Sequence, residues 1–180
     1  MALVPAILYK DEIKKQILYH AYDDEMFLYT GSNGFSTPEI SDEGEGVYQY
    51  AIVDDKKLIG YFSYVLDMYS SNANCFSLFS FDKGNPIIGI SVFRELEKLI
   101  NSYRVHRLEW RMIEGNPVER HYDRFCQKYS GKKHILKDAI RDKQGVYHAD
   151  VIYEIIKYSL QGTTQGRYLT GGVPPVRFSM

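Results

Sequence analysis

Clusters of positive charge are missing from this sequence. Its 22 Lys and Arg are offset by 23 Asp and Glu, giving a formal net charge of -1. No basic run exceeds a pair such as Lys14-Lys15 or Lys132-Lys133, so the electrostatic footprint of a nucleic-acid binder is absent. Cysteine is scarce: Cys75 and Cys126 show no CxxC spacing, and the five His residues form neither HxxxH nor HExxH. Those absences exclude a disulfide framework and the recognisable zinc motifs. Two free, buried thiols in a reducing compartment are the expectation. No apolar stretch approaches a membrane span. The apolar start, Met1 to Leu8, is too short for a secretory segment and lacks its basic flank. A soluble, cytoplasmic protein without membrane or nucleic-acid partners is expected.

What the chain does have is tyrosine, sixteen of them in 180 residues, within an aromatic share of 14%. Tyrosine suits a pleated, half-buried surface, so this points to a large sheet. A hydrophobic share of 44% and a charged share of 25% are those of a globular domain. The length suits one domain, placed at residues 1–160, followed by a tail over 161–180.

Local pattern gives the element order. Residues 3–8 are apolar, with Pro5 marking a strand edge or bulge. Ile13, Ile17, Leu18 and Ala21 then fall at helical spacing, with Asp11 as the N-cap, and a second short helix follows through Met26 to Leu28. The 31–46 segment is a polar loop holding the acidic run Asp42-Glu43-Gly44-Glu45, a solvated loop or an attractor of cationic amines. Val47–Val53 and Leu58–Asp67 read as a hairpin about Asp54-Asp55-Lys56-Lys57. Cys75–Phe81 is a third strand. Beyond Gly84, Pro86 and Gly89 the period changes: Val92, Phe93, Leu96, Leu99 and Ile100 are spaced as a buried helix face, with Arg94, Glu95, Glu97 and Lys98 opposite. These apolar residues are read as core rather than as ligand contacts. Leu108–Ile113 is a strand in which Trp110 alternates with Leu108 and Met112. Asn116 caps a helix that begins at Pro117 and stops at Gly131. A last hairpin, His134–Arg141 and Val146–Ile156, turns about Asp142-Lys143-Gln144-Gly145. The fold class is mixed α/β (α+β), with a largely antiparallel central sheet flanked by helices.

A strand, a glycine-bearing loop and a helix N-terminus together form a general anion site, through free N–H groups and the helix dipole. Gly84-x-x-x-x-Gly89 has that position. It lacks the Lys-Ser/Thr ending of a Walker loop, does not match GxGxxG, and follows a third antiparallel strand rather than the parallel crossover of a dinucleotide-binding unit.

The run Phe79-Ser80-Phe81-Asp82-Lys83-Gly84-Asn85-Pro86-Ile87-Ile88-Gly89-Ile90 resembles the strand–loop–helix motif of the GNAT (Gcn5-related N-acetyltransferase) superfamily. In this register Gly89 stands at the last glycine of the phosphate loop. Gly84 occupies the loop's Arg/Gln position and Ile87 its penultimate glycine, while Pro86 removes one backbone donor. Glu114-Gly115-Asn116-Pro117 and Tyr122 resemble the family's strand exit, its Asn and its helical Tyr. Gly145 to Ile155 resembles its closing hairpin.

The resemblance implies an N-acetyltransferase in which a primary amine, on a small molecule or a peptide N-terminus, attacks acetyl-CoA directly and CoA is the product. Phe79 and Phe81 would pair their main chain with the pantetheine arm. Lys83, Gly84, Asn85, Ile88, Gly89 and Ile90 would meet the pyrophosphate, and Asn116 would contact the cofactor or cap its helix. Tyr122 would give the leaving thiolate a proton, or else simply pack its helix on the sheet. No single base is marked: Glu114, Glu109, Asp82 and His121 are the groups near the expected cleft, each also readable as a solvated surface charge, and a water-mediated relay is an equal alternative. A second reading keeps the fold but makes the protein a binding module with an altered loop. The tail, with Tyr168, Leu169, Val173, Val176 and Phe178, is expected to pack on its own domain or strap a neighbouring subunit, a homodimer being one arrangement open to it.

Overall fold

Apolar residues at the start of the chain form a three-residue edge strand, β1 (Leu3–Pro5), where Pro5 needs to donate no ladder hydrogen bond. The structure, a computed structural model, describes residues 3–20 and 37–157. The second short helix, the first part of the polar loop (31–36) and the tail lie outside the described residues. A single 3-10 turn over Ala6–Tyr9 runs directly into helix α1 (Lys10–His20). Asp11 is thus inside the first helical turn, not its cap. The preceding turn already supplies a partner there, because the Lys10 N–H donates to the Ile7 carbonyl. Ile13 and Ile17, one turn apart, form the buried stripe of α1.

Six more strands follow: β2 (Val47–Asp54), β3 (Lys57–Asp67), β4 (Asn72–Ser80), β5 (Arg107–Ile113), β6 (Lys132–Arg141) and β7 (Tyr147–Ile156). They make one seven-stranded sheet in the order β1-β2-β3-β4-β5-β7-β6. The β2–β3 hairpin closes through Asp55 and Lys56, both in the left-handed region with φ of 43° and 66°. A two-residue loop of that hand matches the twist of the strands it joins. Every pairing is antiparallel except β4–β5, which is parallel and spanned by helix α2 (Pro86–Asn101). The largely antiparallel sheet is as expected, but the reading that the glycine loop stands outside any parallel crossover is corrected. That loop belongs to a parallel β4–α2–β5 crossover.

Helix α2 begins at Pro86, three residues before Gly89, because Asn85 caps it and Pro86 fits its first position. Ile88, Gly89 and Ile90 are accordingly helical residues, not loop residues. Helix α3 spans Glu119–Lys128; a turn over Pro117 and Val118 precedes it.

Two layers of side chains sandwich the sheet. On one face α2 and α3 pack on Phe62, Tyr64, Leu108, Trp110 and Tyr153. On the other, α1 and Ile40 cover Ala51, Tyr61 and Phe79. Alternation along β3 assigns Tyr61 and Phe62 to opposite faces. Glu95, read as part of the polar face of α2, is instead buried and accepts a 2.9 Å hydrogen bond from Tyr64 Oη. Cys126 is buried as expected; Cys75 is exposed, and both are free thiols. β6 carries no buried residue.

Candidate functional site

Strands β4 and β5 are paired only at Asn72↔Arg107 and Ala73↔Leu108. Two residues later Cys75 takes a φ of 53°, and the β3–β4 register slips so that Cys75 and Phe76, between Asn74 and Ser77, face the single residue Tyr64 of β3. This is a β-bulge, and it sits where β4 leaves β5. From there the two parallel strands diverge towards their C-terminal ends, opening a cleft of about 720 Å³. Phe76 and Leu78 of β4 form one wall, Trp110 and Met112 of β5 the other. α2 contributes Ile88, Val92, Phe93 and Leu96, so the apolar stripe of that helix is both core and cleft lining. α3 contributes Arg120, His121 and Tyr122. The volume suits a small-molecule ligand.

Beyond Ala73 the β5-facing edge of β4 has no strand partner among the described residues. Its amide and carbonyl groups over Phe76–Ser80 are those an extended ligand would pair with. The side chain of Phe79 packs in the α1 layer, with Phe81 against the same layer, so these two offer the cleft main chain alone.

At the wide end, two turns of identical sequence form the lips. Gly84-Asn85-Pro86 leads into α2, and Gly115-Asn116-Pro117 leads towards α3. Both glycines have φ of 87°, a conformation strained for any residue with a side chain. Asn85 Oδ1 accepts the Ile87 N–H at 3.0 Å, and Asn116 Oδ1 accepts the Val118 N–H at 3.0 Å. Pro86 has no N–H to give, and the Ile88 N–H goes to the Asn85 carbonyl at 3.3 Å. The first donors of α2 are thus spoken for by the chain itself. What remains is space: a Cβ built on Gly84 or Gly89 would meet nothing within 4 Å. A phosphate could approach the backbone closely there, though with fewer free donors than a helix start usually provides.

Among the expected site residues, Gly84, Asn85, Ile88, Gly89, Ile90, Asn116 and Tyr122 line this one cleft. Lys83 is exposed in the turn before it and Glu114 is exposed just after β5; neither is part of the lining. Asp82 is tied into the first lip, its Oδ2 accepting from Asn85 Nδ2 at 3.2 Å and lying 3.8 Å from Lys57 Nζ. Glu109 pairs with Arg107 at 2.7 Å, on the sheet face away from α2 and α3. His121 lines the cleft and its Nε2 receives Arg120 Nε at 3.2 Å.

Tyr122 is the one tyrosine in the lining. Its ring meets Phe93, Trp110 and Tyr153 edge-on at centroid distances of 5.9, 5.8 and 5.7 Å. Burial alone pushes its phenol up to about 12. The group therefore stays protonated throughout the neutral and mildly alkaline range. Among the described residues, no group of three or more His, Cys, Asp or Glu is arranged to hold a metal ion. No described helix is long and apolar enough to cross a membrane.

The overall fold recurs in solved structures. The microcin C7 self-immunity acetyltransferase MccE, in complex with acetyl-CoA and AMP, matches over 86% of this chain and 91% of its own, with a TM-score of 0.59 and 17% identity. The chain has the GNAT fold. Spermidine/spermine N-acetyltransferase SpeG from Vibrio cholerae, in complex with manganese ions, shares it over 81% of this chain and 74% of its own, at a TM-score of 0.51 and 15% identity. A probable acetyltransferase matches at a TM-score of 0.49 and 17% identity, and this chain covers 63% of its length. No protein-family model and no curated protein sequence matches the chain. Within the GNAT fold, the site residues that sequence reading passed over are the apolar walls: Phe76, Leu78, Trp110 and Met112. Their alternation was visible as strand pattern, but nothing in it distinguishes a residue facing a cleft from one facing a packed helix.

Proposed function

We propose that the protein is an N-acetyltransferase that moves an acetyl group from acetyl-CoA to a primary amine of a small molecule or a peptide N-terminus. The observation that carries this is the placement of Tyr122. A phenol held protonated by burial lines a cleft whose opposite wall is unpaired main chain. The chain's residues fit the cofactor in two respects. The bare edge of β4 over Phe76–Ser80 suits the amides of a pantetheine arm, and the open faces of Gly84 and Gly89 leave room for phosphates. When bound, acetyl-CoA supplies an activated carbonyl and a thiol leaving group. Tyr122 Oη holds the proton that a departing sulfur needs, and the apolar walls keep water from the reacting carbonyl. The fold of MccE, in a complex that contains acetyl-CoA, is consistent with this use of the cleft.

One observation favours a second reading, a binding module on the same scaffold. Asn85 and Pro86 leave the start of α2 short of free donors for a pyrophosphate. Amine-dependent release of thiol from acetyl-CoA separates the two. Release that rises with one class of amine, at a rate well above hydrolysis, supports the transferase. Binding of CoA without any amine-dependent release supports the module.

A further inference from the structure

Trp110 lines the cleft yet is 4% exposed, and its indole Nε1 has no hydrogen-bond partner. The ring stacks on Tyr153 at 5.3 Å with the planes 8° apart, and meets Tyr122 and Phe125 edge-on at 5.8 and 5.9 Å. Those contacts fix the plane of the indole without giving its N–H an oxygen or nitrogen acceptor. An unpaired buried donor is costly, of the order of 1–3 kcal/mol, and native structures hold few of them. Phenylalanine would keep the aromatic packing at this position without the orphaned N–H.

Trp110 also occupies a telling place in the sheet. It is the second residue beyond the last β4–β5 pairing partner on β5, Arg107 and Leu108 being the paired residues and Glu109 the only one between. The indole therefore lies near the narrow end of the opening, on the same face as Tyr122. A ligand lying along β4 with its phosphates at the Gly84 lip has its far end here.

We propose that Trp110 Nε1 is the hydrogen-bond donor for the carbonyl oxygen of the acyl group. This rests on the acetyl-CoA reading and deepens it. During transfer the bond from carbon to nitrogen forms and that from carbon to sulfur breaks; the sulfur takes the Tyr122 proton, the amine proton leaves to solvent, and solvent returns a proton to the Tyr122 phenolate. Negative charge gathers on the carbonyl oxygen in between. A fixed donor in an apolar, water-poor wall is worth most at that moment, because it needs no reorganisation. Trp110 and Tyr122, in edge contact, would then serve the two atoms on which charge appears, oxygen and sulfur.

Trp110 is the only tryptophan in the chain, so a single indole N–H resonance reports on it directly. The experiment follows that resonance by 15N–1H NMR in the full-length protein on addition of acetyl-CoA or CoA, with melting temperature recorded in parallel. The expected result is a downfield shift of the indole proton with acetyl-CoA that CoA, having no acyl carbonyl, does not produce. Trp110→Phe should still be stabilised by acetyl-CoA. Its turnover should fall by about a hundredfold, the loss usual for one such donor, with KM little changed. Stabilisation by acetyl-CoA with an unmoved indole resonance would overturn the assignment and leave the cofactor reading standing; the N–H would then be directed at a neighbouring ring. No stabilisation by either ligand would overturn the cofactor reading, and this assignment with it.

Discussion

Asn85 and Asn116 make the same hydrogen bond from the same tripeptide on opposite lips of the cleft, each Oδ1 accepting at 3.0 Å the N–H of the residue two positions on. Each follows a glycine at φ of 87° and precedes a proline. Asn85 caps α2, whereas Asn116 closes the turn over Pro117 and Val118 that leads into α3 at Glu119. Replacing either Asn by Ala removes an acceptor from a helix entrance, at a cost of about 1 kcal/mol. Denaturant unfolding of Asn85→Ala and Asn116→Ala should show losses of that size, with Asp substitutions retaining most of the stability. A loss in one variant only would mean that the two turns are not equivalent.

Tyr122→Phe keeps the ring among Phe93, Trp110 and Tyr153 but removes the phenol. Thiol release should fall by roughly a hundredfold, in the range for loss of a general acid, while acetyl-CoA binding is retained. The parent phenol is raised from 10.0 to about 12 by burial. Its contribution to folding is therefore whole below pH 10 and lost as pH rises through about 12. Burial moves Tyr61, Tyr64 and Tyr153 the same way. Circular dichroism along a pH titration should show an alkaline unfolding that begins above pH 10. An unchanged turnover in Tyr122→Phe would remove its role as donor.

The bulge at Cys75 places a non-glycine residue in left-handed backbone, which costs on the order of 1 kcal/mol. Cys75 is exposed, so its side chain adds little packing. Cys75→Gly should be neutral or stabilising, and Cys75→Val clearly destabilising, by urea unfolding. If Val were tolerated as well as Gly, the bulge would not be the element that opens the cleft.

Asp150 is buried on β7, with Oδ2 3.2 Å from Arg111 Nη1 and Oδ1 without a partner. Burial raises its carboxyl above 3.8, outweighing the pull of Arg111. The stability it contributes is whole below pH 3.8 and is lost as pH rises through the folded value, so at pH 7 the ionised group is a burden. Asp150→Asn should be at least as stable as the parent at pH 7. Marked destabilisation of that variant would show that the ion pair outweighs the burial.

Much of the sheet was legible because its signals are local. Asp54-Asp55-Lys56-Lys57 between two β-rich runs announces a hairpin, whereas Asn116-Pro117, expected to open a helix, forms a turn and α3 begins two residues later at Glu119 with Val118 at its N-cap. The same dipeptide at Asn85-Pro86 does open a helix, but its neighbours Gly84 and Gly89 suggested a loop, and the resulting boundary placed Gly89 outside α2. Asp11 failed as a cap for a different reason: the 3-10 turn over Ala6–Tyr9 had already supplied the partner. The cleft itself was not legible. It depends on a left-handed Cys75, which no residue preference signals, and on a β4–β5 pairing that stops after two residues. Both are decided by packing across the sheet, not by neighbours along the chain. The apolar face of α2 showed the same limit, since Val92 and Leu96 carry one pattern for two roles.

The central claim is that this cleft holds acetyl-CoA, and the melting temperature of the protein in the presence of acetyl-CoA and of CoA tests it most directly. At about 100 times its dissociation constant, a ligand that binds only the folded state adds about 2.7 kcal/mol of apparent stability. The account predicts such a gain with both ligands, lost on narrowing the cleft with Leu78→Trp. No change in melting temperature at millimolar concentrations of either ligand would contradict it.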